Sequence, residues 1–215
     1  MKPREIEAKS FAIIDAEAGP HLYNAAQWQI VRRVIHTSAD FEWQQMMRFH
    51  PKAIENGIKA IRAGASIITD THMARVGIRS RDLARFGGEV RCYMTAPQVA
   101  DRAAAQGITR ARAAVDLAAE EVAGGMYADS MYADSIFVVG NAPTALLRFL
   151  ELAAEGKLAP ALVVGLPVGF VNAAESKAAL MECDLPFIAN TGRKGGSNVA
   201  AAVINALILM AIDTP

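Results

Sequence analysis

From about residue 44 onward, short apolar runs alternate with stretches of helical periodicity, and this alternation confines the chain to βαβ units around a parallel sheet covered on both faces. Residues 44–49, 66–70, 90–93, 136–140, 161–165 and 187–190 read as strands. Residues 4–18, 25–35, 51–63, 97–106, 110–122, 143–154, 173–181 and 197–211 read as helices. Pro51 suits a first helical turn, and Gly64, Gly107, Gly124 and Gly156 suit the stops. The first two helices precede the alternation and are expected to pack on the domain or on a partner subunit. The expected class is α/β, with a mostly parallel sheet between two helical layers. At 215 residues with no internal shift of composition, residues 1–215 are expected to form a single domain.

The charge balance narrows the partners. Twenty-two basic side chains face 22 acidic ones, so bulk charge draws the chain neither to nucleic acid nor to an anionic membrane. A local basic pocket is still compatible with that balance. The charged, amphipathic N-terminal stretch has no signal-peptide core, which predicts a cytoplasmic protein. The most apolar stretch, residues 199–212, is interrupted by Asn205 and falls short of the ~20 residues that span a bilayer. Cys92 and Cys183 stand far apart, so neither a zinc site nor a disulfide framework is indicated. Residues 126–130 and 131–135 both read MYADS, a tandem duplication that matches no solenoid period and is expected to lengthen the loop before the strand at 136.

Residues 187–202, FIANTGRKGGSNVAAA, place a strand, a basic Gly-rich turn and a helix start in that order. Such an arrangement presents backbone N–H groups, a helix dipole and the cations Arg193 and Lys194 to one anion. The nucleotide motifs fail letter by letter. Lys194 precedes the glycine pair where a P-loop lysine follows one, and Gly192, Gly195 and Gly196 lack the dinucleotide spacing. A plain tight turn with two solvated cations is the alternative.

Two more strand ends resemble it in chemistry. VVGNAPTAL (138–146) offers Asn141 and Thr144, and VVGLPVGFVNAAESK (163–177) offers Gly169 and Phe170. Glycine followed by proline lets backbone turn sharply and approach a ligand, while Asn141, Thr144 and Thr191 supply uncharged hydrogen bonds. Each is also compatible with an ordinary turn. In WQIVRRVIHTSAD (28–40), Ile30, Val31, Val34 and Ile35 form one helical stripe, with Arg32, Arg33 and His36 on the other face. His36 falls in the last turn, where the dipole favours a cation and the arginines oppose one, and imidazole titrates in the range useful for proton transfer. A histidine that only caps carbonyls fits the same spacing. Asp70 and His72 follow the strand at 66–70. Two ligands make a weak metal site, so Asp70 is expected to cap the following turn or orient a ligand group. His21 and His50, each beside a proline, read as turn residues.

Five strings in order, VIHTSAD (34–40), IITDTHMARVGI (67–78), VVGNAPTAL, GLPVGFVNAAESK and FIANTGRKGGSNVAAA, closely resemble the precorrin-8X methylmutases, also called cobalt-precorrin-8 methylmutases, of cobalamin biosynthesis. The resemblance runs from Glu5 to Ile212, and only the MYADS duplication departs from it. It implies a flavodoxin-like three-layer α/β/α sandwich working as a homodimer, with the ligand near the subunit boundary. It also implies an isomerase that moves a methyl group from C11 to C12 on ring C of the tetrapyrrole-derived macrocycle, without redox cofactor, methyl donor or catalytic metal. His36 matches the family's catalytic histidine, thought to protonate a ring C nitrogen or carbon.

That substrate, precorrin-8X or cobalt-precorrin-8, carries many carboxylates around a flat apolar ring and so requires several anion anchors and an apolar floor. Arg193, Lys194 and the N–H groups around Gly195 are candidates for the anchors, with Arg32 and Arg79 beside them. Thr37, Ser38, Thr69, Asp70, Asn141, Thr144, Gly169 and Thr191 complete the polar set, and Phe170 or Met73 suits the ring. Two other classes use some of the same residues. A corrinoid carrier needs the anchors and has no use for a titrating His36. A phosphate-binding α/β transferase needs only the Arg193–Lys194 loop, and calorimetry with a sugar phosphate separates it from a corrinoid site.

Overall fold

Among the described residues, four of the six strands are buried along their whole length, as a sheet covered on both faces requires. The computed structural model describes residues 2–124 and 135–213. Its strands are β1 (Met47–Phe49), β2 (Ile67–Thr69), β3 (Val90–Arg91), β4 (Ile136–Val139), β5 (Leu162–Gly165) and β6 (Phe187–Asn190). The helices before β3 are α1 (Pro3–Ala18), α2 (Ala25–Ser38), α3 (Trp43–Met46), α4 (Ala53–Arg62), α5 (His72–Gly77) and α6 (Ser80–Leu83). Those after it are α7 (Pro97–Gln106), α8 (Arg110–Gly124), α9 (Pro143–Ala154), α10 (Ala173–Met181) and α11 (Ser197–Asp213).

The strands join in the order β1-β6-β5-β4-β2-β3, all parallel except β1. Counting only the parallel strands from the β3 edge, the order is the flavodoxin-like 2-1-3-4-5, which reverses direction between β2 and β4. Side chains alternate between two cores. Ile67, Ile136, Val138, Leu162, Val164 and Ile188 face one layer with α2, α4 and α11. Ile68, Phe137, Val139, Val163, Phe187 and Ala189 face the other with α8, α9 and α10. The three-layer α/β/α expectation holds.

Helix α11 is apolar nearly all round because it lies between the sheet and α2. Helix α2 buries Ile30, Val31, Val34 and Ile35, the stripe read from the sequence, and α1 packs on α2. The N-terminal helices therefore pack, through α2, against α11 of the sheet-covering layer. Asn24 opens α2 with a capping box, its side chain accepting the Gln27 N–H at 2.9 Å. Pro143 sits in the first turn of α9, and Gly107 closes α7 with φ +64.

Two regions differ from the sequence reading. Residues 44–49 form the short α3 and a three-residue strand β1 that runs antiparallel, pairing Met47 with Asn190 and Phe49 with Ile188. The Tyr23 hydroxyl, donating to the Gln44 and Met47 carbonyls at 2.7 and 3.2 Å, ties down the turn that reverses the chain. Residues 71–89, read without regular elements, contain α5 and α6, which at six and four residues are too short to display a period. Most of the MYADS duplication lies outside the described residues; its last residue, Ser135, is buried and accepts the Ala161 N–H at 3.0 Å. No helix among the described residues is long and apolar enough to cross a membrane.

Candidate functional site

Open parallel sheets receive ligands at the carboxyl ends of their strands, beside the point where strand order reverses. Here that point is closed by Asp70. One carboxylate oxygen accepts the Gly140 N–H at 3.0 Å, and the other accepts those of Asn141 and Ala142, each at 2.8 Å. Burial pushes the Asp70 carboxyl above its ordinary value, and the three N–H donors oppose the shift. Asp70 thus caps the turn after β4, while Thr71 caps its own helix, its hydroxyl accepting the Ala74 N–H at 3.1 Å. The Thr71 hydroxyl also meets that of Ser197 at 2.7 Å, joining α5 to the first residue of α11.

The loops after β5 and β6 pack backbone against backbone. Gly169 donates to the Arg193 carbonyl at 3.2 Å and Gly196 to the Leu166 carbonyl at 3.0 Å. A Cβ at Gly195 would stand 2.2 Å from the Leu166 oxygen, and one at Gly140 would stand 2.7 Å from Cα of Ser197. These two glycines are present because backbone passes where a side chain would be. Thr191 donates its N–H to Met46 at 3.0 Å, joining the same loop to α3.

His36 lines an open cleft of about 200 Å³ together with Arg33, Thr37, Gly77, Asn198 and Asn205. Its exposed ring packs edge-on against Phe11 of α1, centroids 5.2 Å apart. Arg32 and Arg33 also lie over Phe11, at 4.5 and 5.1 Å, so the three residues do share a face. Both arginines are ion-paired to α1, Arg32 with Asp15 at 2.6 Å and Arg33 with Glu7 at 2.9 Å. After α2 the chain turns through Ala39, left-handed at φ 50, and brings Asp40 against Lys194. That ion pair, joined by Glu42 at 2.7 Å from the same ammonium, ties the His36 helix to the basic loop.

The candidate residues therefore separate by what their polar atoms already touch. His36, Asn141 and Arg193 make no side-chain hydrogen bond or ion pair among the described residues, and all three are exposed. Arg193 lies 5.7 Å over the Phe170 ring; Phe170 is 85% exposed and Met73 67%, which leaves both faces open to an apolar ligand. Arg32, Arg79 and Lys194 are ion-paired, Arg79 with Asp82 at 2.6 Å. Thr69 is buried and donates to the Thr71 and Arg91 carbonyls, Ser38 donates back to Val34 at 2.8 Å, and Thr144 meets Thr109 at 2.9 Å. A larger cleft of about 630 Å³ lies between the α1–α2 connection and β1, lined by His21, Tyr23 and Arg48 and by none of the candidates.

Sequence reading passed over Phe11, Asp40, Lys177 and Asn190. Asn190 ends the apolar run FIAN at a fully buried position, and that single polar letter was its signal. Lys177 sits in an Ala-rich helix, where a lysine ordinarily reads as solvated.

The profile of the precorrin-8X methylmutase family matches residues 5–210. Among curated proteins, a cobalt-precorrin-8 methylmutase of Salmonella typhimurium is 48% identical, the alignment covering 97% of this chain and 95% of that protein. One of Priestia megaterium is 46% identical, covering 98% and 89%. A crystal structure of the precorrin-8X methylmutase from Thermus thermophilus superposes with a TM-score of 0.87 at 46% identity, covering 98% of this chain and 97% of that one.

Proposed function

The chain belongs to the precorrin-8X methylmutase family and is an isomerase of that class, and from this premise we propose that it moves a methyl group from C11 to C12 on ring C of precorrin-8X or cobalt-precorrin-8, with His36 as the acid. The products are hydrogenobyrinate and cobyrinate. One observation carries the reading: His36 has an exposed imidazole with no hydrogen-bond partner among the described residues, in a cleft tied through Asp40 and Lys194 to the edge that bears Arg193.

Protonation of ring C by His36 draws electrons toward the ring and loosens the bond to the migrating methyl. The methyl then shifts within the same molecule, and the proton is lost as the corrin chromophore forms, so neither mass nor oxidation level changes. General acid assistance of this kind contributes ~10² to 10⁴ in rate. Arg193 holds a peripheral carboxylate, and the Asn141 side chain offers an uncharged hydrogen bond. The exposed Phe170, Val171 and Met73 receive the ring face. A cleft of about 200 Å³ encloses only one sector of a tetrapyrrole macrocycle, which favours a homodimer whose second copy covers the rest.

The test is absorption spectroscopy and mass spectrometry after mixing with precorrin-8X, metal-free and cobalt-loaded. A corrin spectrum at unchanged mass is expected, and the faster substrate identifies the natural one. Binding without conversion of either form would leave a corrinoid carrier as the better description.

A further inference from the structure

Lys177, in the middle of α10, is fully buried, and its ammonium meets no carboxylate among the described residues. Nζ donates to the Asn190 side-chain oxygen at 3.1 Å and to the Lys194 carbonyl at 2.6 Å. The Asn190 amide nitrogen completes the knot by donating to the Thr191 and Lys194 carbonyls, each at 2.9 Å. Both partners of the ammonium are neutral. A buried cation so placed is costly, and burial pushes Lys177 down to about 8. A strut needs only N–H groups, which a neutral amine also provides. The charge itself calls for another use.

The charges around it supply one. At the loop surface Lys194 is held by both Asp40 and Glu42, while Arg193 is exposed and has no ion pair among the described residues. Glu175 on α10 and Glu182 just past the helix end are exposed, and neither is bonded to Lys177. On α9, which packs against α10, Arg148 and Glu151 pair with each other and with Asp116 and Arg112. Strand β6 presents the neutral Asn190. Lys177 is thus the buried positive charge at this edge that no carboxylate balances among the described residues, beneath the exposed and equally unpaired Arg193.

We propose that Lys177 is a positioning residue for the substrate's anionic groups: from beneath residues 190–194 it fixes the backbone that carries Arg193, and its charge is completed by a substrate carboxylate. This rests on the reading of the sheet edge as a corrinoid carboxylate site. Two pH dependences separate charge from strut. Between about 8 and the ordinary lysine value of 10.5, the folded chain binds fewer protons at Lys177 than the unfolded chain, so its contribution to stability rises with pH across that window. Anion affinity runs the other way, falling as pH passes about 8. A lysine that served only as a strut would change stability and leave affinity flat.

Isothermal titration of hydrogenobyrinate from pH 6.5 to 9.5 reads this directly. The unaltered protein is expected to bind roughly tenfold more weakly at the top of the range than at pH 7, and to take up protons on binding at pH 8 when two buffers of different ionisation enthalpy are compared. Lys177→Met, checked for folding by circular dichroism, is expected to bind weakly with no step near pH 8, and Lys177→Arg to regain affinity without the step. The proton uptake needs no variant and stands if Lys177→Met fails to fold. Binding by the unaltered protein with flat affinity and no proton uptake overturns the inference alone. Failure to bind at any pH overturns the substrate reading and this inference with it.

Discussion

Asp70 accepts the backbone N–H of Gly140 at 3.0 Å across seventy residues of chain, and the bond ties the ends of β2 and β4 together where the strand order reverses. With Asn141 and Ala142 on its second oxygen, the carboxylate shapes the turn that opens the ligand edge. Asp70→Asn sets an amide NH₂ against N–H donors in a buried place. It is expected to lower unfolding stability by about 2–4 kcal/mol, read as an earlier urea midpoint at unchanged slope. A midpoint within error of the parent's would show that the turn holds itself.

His36→Ala removes the acid and little else, since the ring is exposed and its main neighbour is Phe11. Turnover of precorrin-8X is expected to fall by ~10² to 10⁴ or more, with hydrogenobyrinate affinity within a few-fold of the parent's. Equal turnover in the two proteins removes His36 from the mechanism.

Gly195→Ala places a methyl 2.2 and 2.5 Å from the Leu166 and Pro167 oxygens, both rigid backbone. The β5 and β6 loops must separate, which is expected to cost about 1–3 kcal/mol and to weaken corrinoid binding because Arg193 moves with its loop. Gly192→Ala is the control for backbone strain alone: Gly192 has φ +78, and a Cβ there would stand 3.8 Å from the Met46 methyl. It should lose stability and keep more of the binding.

Asp40→Asn tests the link between α2 and the basic loop. The Lys194 ammonium holds the Asp40 carboxyl below its ordinary 3.8, so whatever stability the pair contributes is present above that value and is lost as pH falls through the lower folded one. The variant is expected to fold normally at neutral pH, because the pair is partly exposed, and to show a shallower acid transition. Freed of one partner, Lys194 should also bind a polycarboxylate corrinoid more tightly and with steeper salt dependence. Weaker binding would mean that loop placement outweighs loop charge.

How much was legible follows from what each element depends on. Strands β4, β5 and β6 were plain in the sequence because every residue of a doubly covered strand is buried, leaving unbroken apolar runs. The buried stripe of α2 was plain for the equivalent reason at helical spacing. Helices α5 and α6 were not, since six and four residues carry no period; α5 is placed by the Thr71 cap and by packing on α11, and the start of α6 by the Arg79 N–H donating to the Asn205 side chain at 2.8 Å. The reversal of β1 was hidden too, because three strand residues do not record direction.

The site divides in the same way. The ordered motifs name His36, Asn141, Phe170 and Arg193, and these keep exposed side chains in the folded chain. Which cations remain available was decided only by tertiary structure: Lys194 meets Asp40 across 154 residues, Arg32 meets Asp15 of a separate helix, and Lys177 is buried under a loop on another strand. Apolar periodicity and caps act over a few residues, so the chain by itself determines its elements and their order. Ion pairing and desolvation depend on distances that exist only once those elements are stacked, so the fold determines which charges are left for a ligand.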